Sequence, residues 1–256
     1  MPGSPLRGAH PARRRSPGRR APRGRLLCSV MSATDRIVVF ARAPVAGRVK
    51  TRLARRLGPE GAARLYRAFV SDTLRALFSA PGLPGTIACD PEPDEFLREA
   101  AAAWRLDLES QRGADLGERL CHAAALARSR GASRVIFTGT DTPTIPRALV
   151  DLALARLGDG RSVVFGPSFD GGYVLVALGP GADPAAVFVD VPWDTPGALA
   201  ATRANAERSG HRVNFVPTWY DVDDAADLDF LRGHLPFLDP ADPAGAPQTR
   251  RVLATL

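Results

Sequence analysis

The sequence predicts an α/β domain built on a mainly parallel sheet with helices on both faces. Short β-branched runs alternate with longer helical stretches, the pattern of strands joined by right-handed helical crossovers. Several of those runs are apolar throughout, as strands covered on both faces must be. No internal repeat of fixed period interrupts the alternation, and no apolar run nears the roughly 18 residues needed to cross a bilayer.

The first strand is "RIVVFA" (36–41), followed by a basic loop and a helix beginning near Thr51. In "PEGAARLYRAFVSDTLRALFSA", Pro59 stands near a helix start, and Leu65, Phe69, Thr73 and Leu77 recur at four-residue intervals on one inward face. "GTIACD" (85–90) is the second strand, "PDEFLREAAAAW" the next helix and "RLDLES" (105–110) the third strand. "QRGADLGERLCHAAALARSRG" is a loop opening a helix, and "RVIFTGTDTP" (134–143) a strand running into a polar loop. A helix over 146–157 precedes strands at 162–167 and 173–178, which flank "SFDGG". A helix over 196–209, the strand "HRVNFV" (211–216) and a last helix opened by "DVDDAADL" complete the domain. Its expected limits are residues 33–238. Residues 239–256, rich in Pro, Ala and Gly, read as a loose C-terminal tail.

The net charge of +7 resembles a nucleic-acid signal until it is located. Residues 1–30 hold eight arginines and no acid, so the remaining 26 basic side chains face 27 acidic ones. The folded domain is near neutral, which argues against nucleic acid as its partner. Residues 1–32 read as a disordered basic extension, either an upstream addition before the natural-looking start at Met31 or an arm for anionic partners. Cys28, Cys89 and Cys121 form neither a zinc pattern nor a disulfide framework, which suits a reducing cytoplasm.

In such a sheet, ligands bind beyond the carboxyl ends of the strands. Four loop regions there carry unusual polar content, the fourth made of two segments, "SFDGGY" and "DVDDAADL". In "RAPVAGRVKTRL", Gly47 permits a tight turn and Arg42, Arg48, Lys50 and Arg52 supply four positive charges. Lys50 is the only lysine of the chain. An ammonium is a compact charge that fits between phosphate oxygens, and a helix starting at Thr51 would aim free N–H groups at the same place, with a solvated basic loop as the plain alternative. In "QRGADLGERL", Gln111 has an amide able to read a nucleobase edge, and Gly113 and Gly117 permit close approach; Asp115 with Glu118 reads equally as a capping box. In "FTGTDTP", Asp141 directly follows a buried strand and suits Mg²⁺ or Mn²⁺, with helix capping as the plain alternative. In "SFDGGY", Asp170 precedes Gly171 and Gly172, whose backbone can pass close to a ligand. In "DVDDAADL", Asp221 and Asp223 alternate along an extended segment and so face one side. Asp224 reads as an N-cap.

Taken in order, "KTRL", "QRGADLGERL", "TGTDTP", "GPSFDGGYVLVAL", "VPWDT" and "DVDDAADL" resemble a family of bacterial proteins with the GT-A (Rossmann-like) glycosyltransferase fold. Its members are described as nucleotide-diphospho-sugar transferases, some as arsenosugar-biosynthesis glycosyltransferases. The resemblance runs from about residue 36 to 235. It implies a nucleotide-sugar donor, a small acceptor and a divalent cation held by an Asp-x-Asp-like element. The single acid of "GTDTP" departs from that element, so Asp221 and Asp223 would complete the ligand set with Asp141. Arg48, Lys50 and Arg52 would neutralise the diphosphate, Gln111 and Gly113 would meet the base, and Asp170 or Asp194 would deprotonate the acceptor. The motifs also resemble, more weakly, GT-A-fold nucleotidylyltransferases such as the phospholactate guanylyltransferases, which share a K-T-R-L loop and a late D-x-D. There the donor is a nucleoside triphosphate and the acceptor is phosphorylated. A nucleotide-binding protein without catalysis is the third reading.

Overall fold

A computed structural model describes residues 35–158 and 160–256. The expectation of a basic extension over 1–32 falls outside the described residues. Among the described residues, seven strands form one sheet in the order β3-β2-β1-β4-β6-β5-β7. They are β1 (Asp35–Arg42), β2 (Gly85–Asp90), β3 (Asp107–Ser110), β4 (Arg134–Thr138), β5 (Ser162–Pro167), β6 (Tyr173–Leu178) and β7 (Arg212–Phe215). Every pairing is parallel except those of β6, which runs antiparallel to both β4 and β5. The chain builds outward from β1 to β3, then returns to β4 on the other side of β1. That reversal places a topological switch point between β1 and β4, where a crevice opens beyond the strand ends.

Period-two alternation divides the core. Ile37, Val39 and Ala41 of β1 face the helices α1 (Thr51–Phe78), α2 (Glu95–Trp104) and α4 (Arg147–Leu157). Val38 faces the opposite layer, formed by α3 (Leu116–Ser129), α5 (Pro184–Phe188) and α6 (Ala198–Arg208). The predicted helices on both faces are therefore present, and the sheet is mainly parallel as expected.

Three local features differ from the sequence reading. The expected helix starts at Thr51 and Pro59 belong to one element, α1, broken at Gly58 by φ 71° and ψ 161°. A side chain at that φ is strained, and Pro59 can restart a helix because its missing N–H is not needed in the first turn. The strand expected over 105–110 begins at Asp107, because Arg105 adopts φ 55° as the C-cap of α2. The last residues are not a loose tail. After α7 (Ala225–His234), the chain forms α8 (Pro247–Leu253) against α1. Asp72 of α1 is fully buried and accepts from the backbone N–H groups of Gln248 (3.1 Å) and Thr249 (2.7 Å), so a side chain 176 residues earlier caps α8. Among the described residues, no helix is long and apolar enough to cross a membrane.

Candidate active site

A cleft of about 610 Å³ opens at the β1/β4 switch point. The loop leaving β1 forms its basic wall. Gly47, at φ 77°, turns the chain, and Lys50 follows in the left-handed region at φ 46° as the N-cap of α1. No side chain caps the first N–H groups of α1, and its first turn holds no acid. The helix start thus presents partial positive charge to the cleft, which Thr51 and Arg52 also line.

The Lys50 ammonium is the centre of the site. Its side chain is 5% exposed, and Nζ lies 2.6 Å from Asp141 Oδ1 and 2.7 Å from Asp223 Oδ1. It also donates to the Val222 carbonyl at 2.7 Å, above the Phe69 ring at 5.8 Å. Burial pushes its pKa down, but the two carboxylates outweigh burial and the net shift is upward. The other oxygen of Asp223 accepts from Arg52 at 2.6 Å. Burial pushes the Asp223 carboxyl up, yet Lys50, Arg52 and Arg42 hold it below the usual range. The Asp141 carbonyl accepts from Val222 N–H at 2.9 Å, which fixes the two acid-bearing segments together.

Asp221 is not part of that cluster. It accepts a 2.9 Å hydrogen bond from Ser168 Oγ, and its pKa is pushed up to about 6 by burial and then by the charge of Asp170. The reason lies in the backbone: residues 217–223 are not a strand, so period-two alternation does not put Asp221 and Asp223 on one side. Among the described residues, no three His, Cys, Asp or Glu side chains gather as a metal group. The expected three-aspartate set is therefore reduced to Asp141 and Asp223, which are 44% and 28% exposed at the cleft. Two carboxylates still suit Mg²⁺ or Mn²⁺, which commonly takes one or two protein carboxylates and completes its shell with water and substrate phosphate.

The remaining predicted residues separate into two groups. Gln111 and Asp194 line the same cleft. Both N–H donors of Gln111 are spent on strand carbonyls, Ala88 O at 2.8 Å and Ala41 O at 3.3 Å, so its amide nitrogen is not available to a base. Asp194 stands exposed at φ 60°, a left-handed conformation that a non-glycine residue adopts at a cost. Arg48 is exposed and does not line the cleft. Gly113, Gly117 and Gly171 each sit where a side chain would clash with its surroundings. A Cβ at Gly113 would lie 2.6 Å from Glu118 Cβ, at Gly117 2.5 Å from the Phe188 carbonyl, and at Gly171 2.2 Å from the Pro196 carbonyl. Gly172 donates its N–H to Asp170 at 2.9 Å, closing a local turn, and neither residue lines the cleft.

Sequence reasoning missed Tyr66, Arg119 and Thr140. The Tyr66 hydroxyl accepts from Arg42 N–H at 2.8 Å and shares a 2.8 Å bond with Thr140 Oγ1, tying the ends of β1 and β4 beneath the cleft. Burial raises its pKa, with the charge of Asp141 adding to the effect. Nothing in a helical run marks this tyrosine apart from its neighbours. Arg119 pairs with Asp90 at 3.0 Å, joining α3 to the end of β2.

Comparison with known proteins agrees with this architecture. Residues 73–195 match the model of a family described as "Uncharacterized protein conserved in bacteria (DUF2064)". The chain is 30% identical over 200 residues to a phosphoenolpyruvate guanylyltransferase of Sphaerobacter thermophilus, covering 77% of this chain and 92% of the relative. The chain belongs to the DUF2064 family. A phosphoenolpyruvate guanylyltransferase of Nocardia farcinica is 31% identical over 180 residues, which is 62% of this chain and 79% of that one. The crystal structure of a "putative nucleotide-diphospho-sugar transferase" from Desulfovibrio desulfuricans G20 superposes with a TM-score of 0.74 at 32% identity, covering 88% of this chain and 98% of that one. The fold is Rossmann-like and nucleotidyltransferase-like, in a transferase family. Of the two transfer chemistries drawn from the motifs, the two guanylyltransferase relatives favour nucleotidyl over glycosyl transfer.

Proposed function

We propose that the chain is a metal-dependent nucleotidyltransferase that moves a nucleoside monophosphate from a nucleoside triphosphate onto a small phosphorylated acid. The names of its relatives make guanosine triphosphate and phosphoenolpyruvate the first pair to test. A phosphate oxygen of the acceptor attacks the α-phosphorus, the bond to the β-phosphate oxygen breaks, and pyrophosphate leaves.

The observation that carries this reading is the convergence of Lys50, Arg52, Asp141 and Asp223 at the uncapped start of α1. A triphosphate brings several negative charges to one point, and stabilising the leaving pyrophosphate is mainly a matter of cations placed in advance. Arg52 and Arg42, both at the cleft, meet that need together with the helix N–H groups. Asp141 and Asp223 would hold Mg²⁺ or Mn²⁺, which supplies further positive charge against the phosphates. Gln111 has only its carbonyl oxygen left to offer, an acceptor suited to a base whose edge donates, as guanine's does.

This chemistry does not call for a general base. A phosphate monoester is largely ionised near pH 7 and attacks as the anion. The proton-accepting role of Asp170 or Asp194 therefore belongs to glycosyl transfer, where the acceptor is a hydroxyl. The name of the Desulfovibrio relative favours that second reading. One experiment separates them: incubation with Mg²⁺ and either GTP plus phosphoenolpyruvate or a panel of nucleotide sugars plus alcohols. Pyrophosphate release in the first arm alone is the expected result. Turnover of a nucleotide sugar with GTP untouched would replace the proposal.

A further inference from the structure

The geometry points to Lys50 as an internal cation that competes with divalent metal for Asp141 and Asp223, and yields them only when nucleotide phosphates draw the ammonium away. The inference rests on the nucleotidyl reading for its second half, and on geometry alone for its first.

An ammonium has three N–H donors. Those of Lys50 have three acceptors within reach: Asp141 Oδ1 at 2.6 Å, Asp223 Oδ1 at 2.7 Å and Val222 O at 2.7 Å. Two donors are spent on Val222 O and Asp223 Oδ1 and the ammonium is also ion-paired to Asp141, so a phosphate that draws Lys50 toward the cleft loosens at least one of these contacts. Both oxygens of Asp223 are engaged, Oδ1 by Lys50 and Oδ2 by Arg52, so a hard cation that takes both carboxylates must displace one of these cations. A metal between them would lie beside a fixed positive charge, and like charges at such distances repel strongly where water is scarce. The second Asp223 oxygen is already held by Arg52 at 2.6 Å.

The surroundings hold the ammonium in place. Its side chain is almost fully buried, with the Phe69 ring on one side and the Val222 carbonyl on another. A buried charge is tolerated only while its partners stay close. The open side faces the cleft, from which phosphate oxygens would arrive. Phosphates can replace a carboxylate as the partner of the ammonium, leaving that carboxylate to the metal that travels with them. Metal and nucleotide then enter together, and free metal is excluded.

The sole lysine makes this directly observable. In the full chain without nucleotide, Mn²⁺ binding followed by electron paramagnetic resonance should be about tenfold tighter for Lys50→Met than for wild type, the size expected on removing one well-placed competing charge. The gain should vanish in K50M/D141N. In wild type labelled with ¹⁵N-lysine, a single protected ε-ammonium signal should ignore Mg²⁺ alone and shift with Mg²⁺ plus GTP; this second measurement does not depend on the variant folding. Equal Mn²⁺ affinity in K50M and wild type, or a signal moved as far by Mg²⁺ alone as by Mg²⁺ with GTP, overturns the inference. A K50M gain with a signal that answers to no nucleoside triphosphate keeps the competition and instead overturns the nucleotidyl reading.

Discussion

Replacing Asp221 with Asn should stabilise the protein near neutral pH and do little at acid pH. The carboxyl is partly buried and faces the charge of Asp170, and these two effects push its pKa from 3.8 up to about 6. An acid whose pKa is raised by folding keeps a proton that the unfolded chain has already lost. Its contribution is therefore most favourable below about pH 4 and declines as pH rises through about 6. At 1.36 kcal/mol per pKa unit, the cost of ionising Asp221 in the folded protein is about 3 kcal/mol at neutral pH. Asn cannot ionise, and its side-chain oxygen still accepts from Ser168 Oγ, so the variant escapes that cost without losing the 2.9 Å bond. Urea denaturation of both proteins across the acid-to-neutral range should show equal midpoints near pH 4 and a higher midpoint for D221N near pH 7. A constant difference at every pH, or a loss of stability at pH 7, would refute the reasoning. The first result would mean that burial and Asp170 do not set the ionisation; the second would mean that the charged form has an attractive partner.

Other perturbations read different parts of the structure. Tyr66→Phe removes the hydroxyl shared by Arg42 N–H and Thr140 Oγ1, and should cost about 1–3 kcal/mol in urea denaturation by leaving a buried donor unpaired. Asp72→Ala takes away both acceptors at the start of α8; hydrogen exchange across residues 247–253 should accelerate strongly while the sheet amides stay protected. Gly117→Ala forces a methyl to within 2.5 Å of the Phe188 carbonyl and should lower the thermal midpoint through a cost of about 1–3 kcal/mol, with Gly47→Ala, which has open space around it but a φ of 77°, losing less.

Much of the fold was legible because its signals are local. Continuous apolar runs marked β1, β2, β4, β5 and β6, and turn residues after them marked the loops of the site. The charges of Lys50, Arg52, Asp141 and Asp223 stood out because charged clusters in the loops beyond buried strands have few structural uses. Their pairing did not stand out, since Lys50 and Asp223 meet across 173 residues. Asp221 departs from the sequence expectation because its segment is not a strand, so period-two alternation does not hold there, and Ser168 fixes where the carboxyl points. The close packing of Gly117 and Gly171 was not legible, because their neighbours Phe188 and Pro196 lie 71 and 25 residues further along the chain. The C-terminal segment read as loose for the same reason, because the acid that caps α8 lies on α1.

The central claim is that Lys50, Arg52, Asp141 and Asp223 form one site for a triphosphate. Phosphorus NMR of a reaction containing GTP, phosphoenolpyruvate and Mg²⁺ tests it most directly, run with wild type and with Asp141→Asn. Wild type should convert GTP to pyrophosphate and a new diphosphate-linked product, and the variant should be slower by about 10²–10³-fold, as for loss of one preorganised charge. Equal rates for the two proteins, or intact GTP alongside cleavage of a nucleotide sugar, would contradict the account.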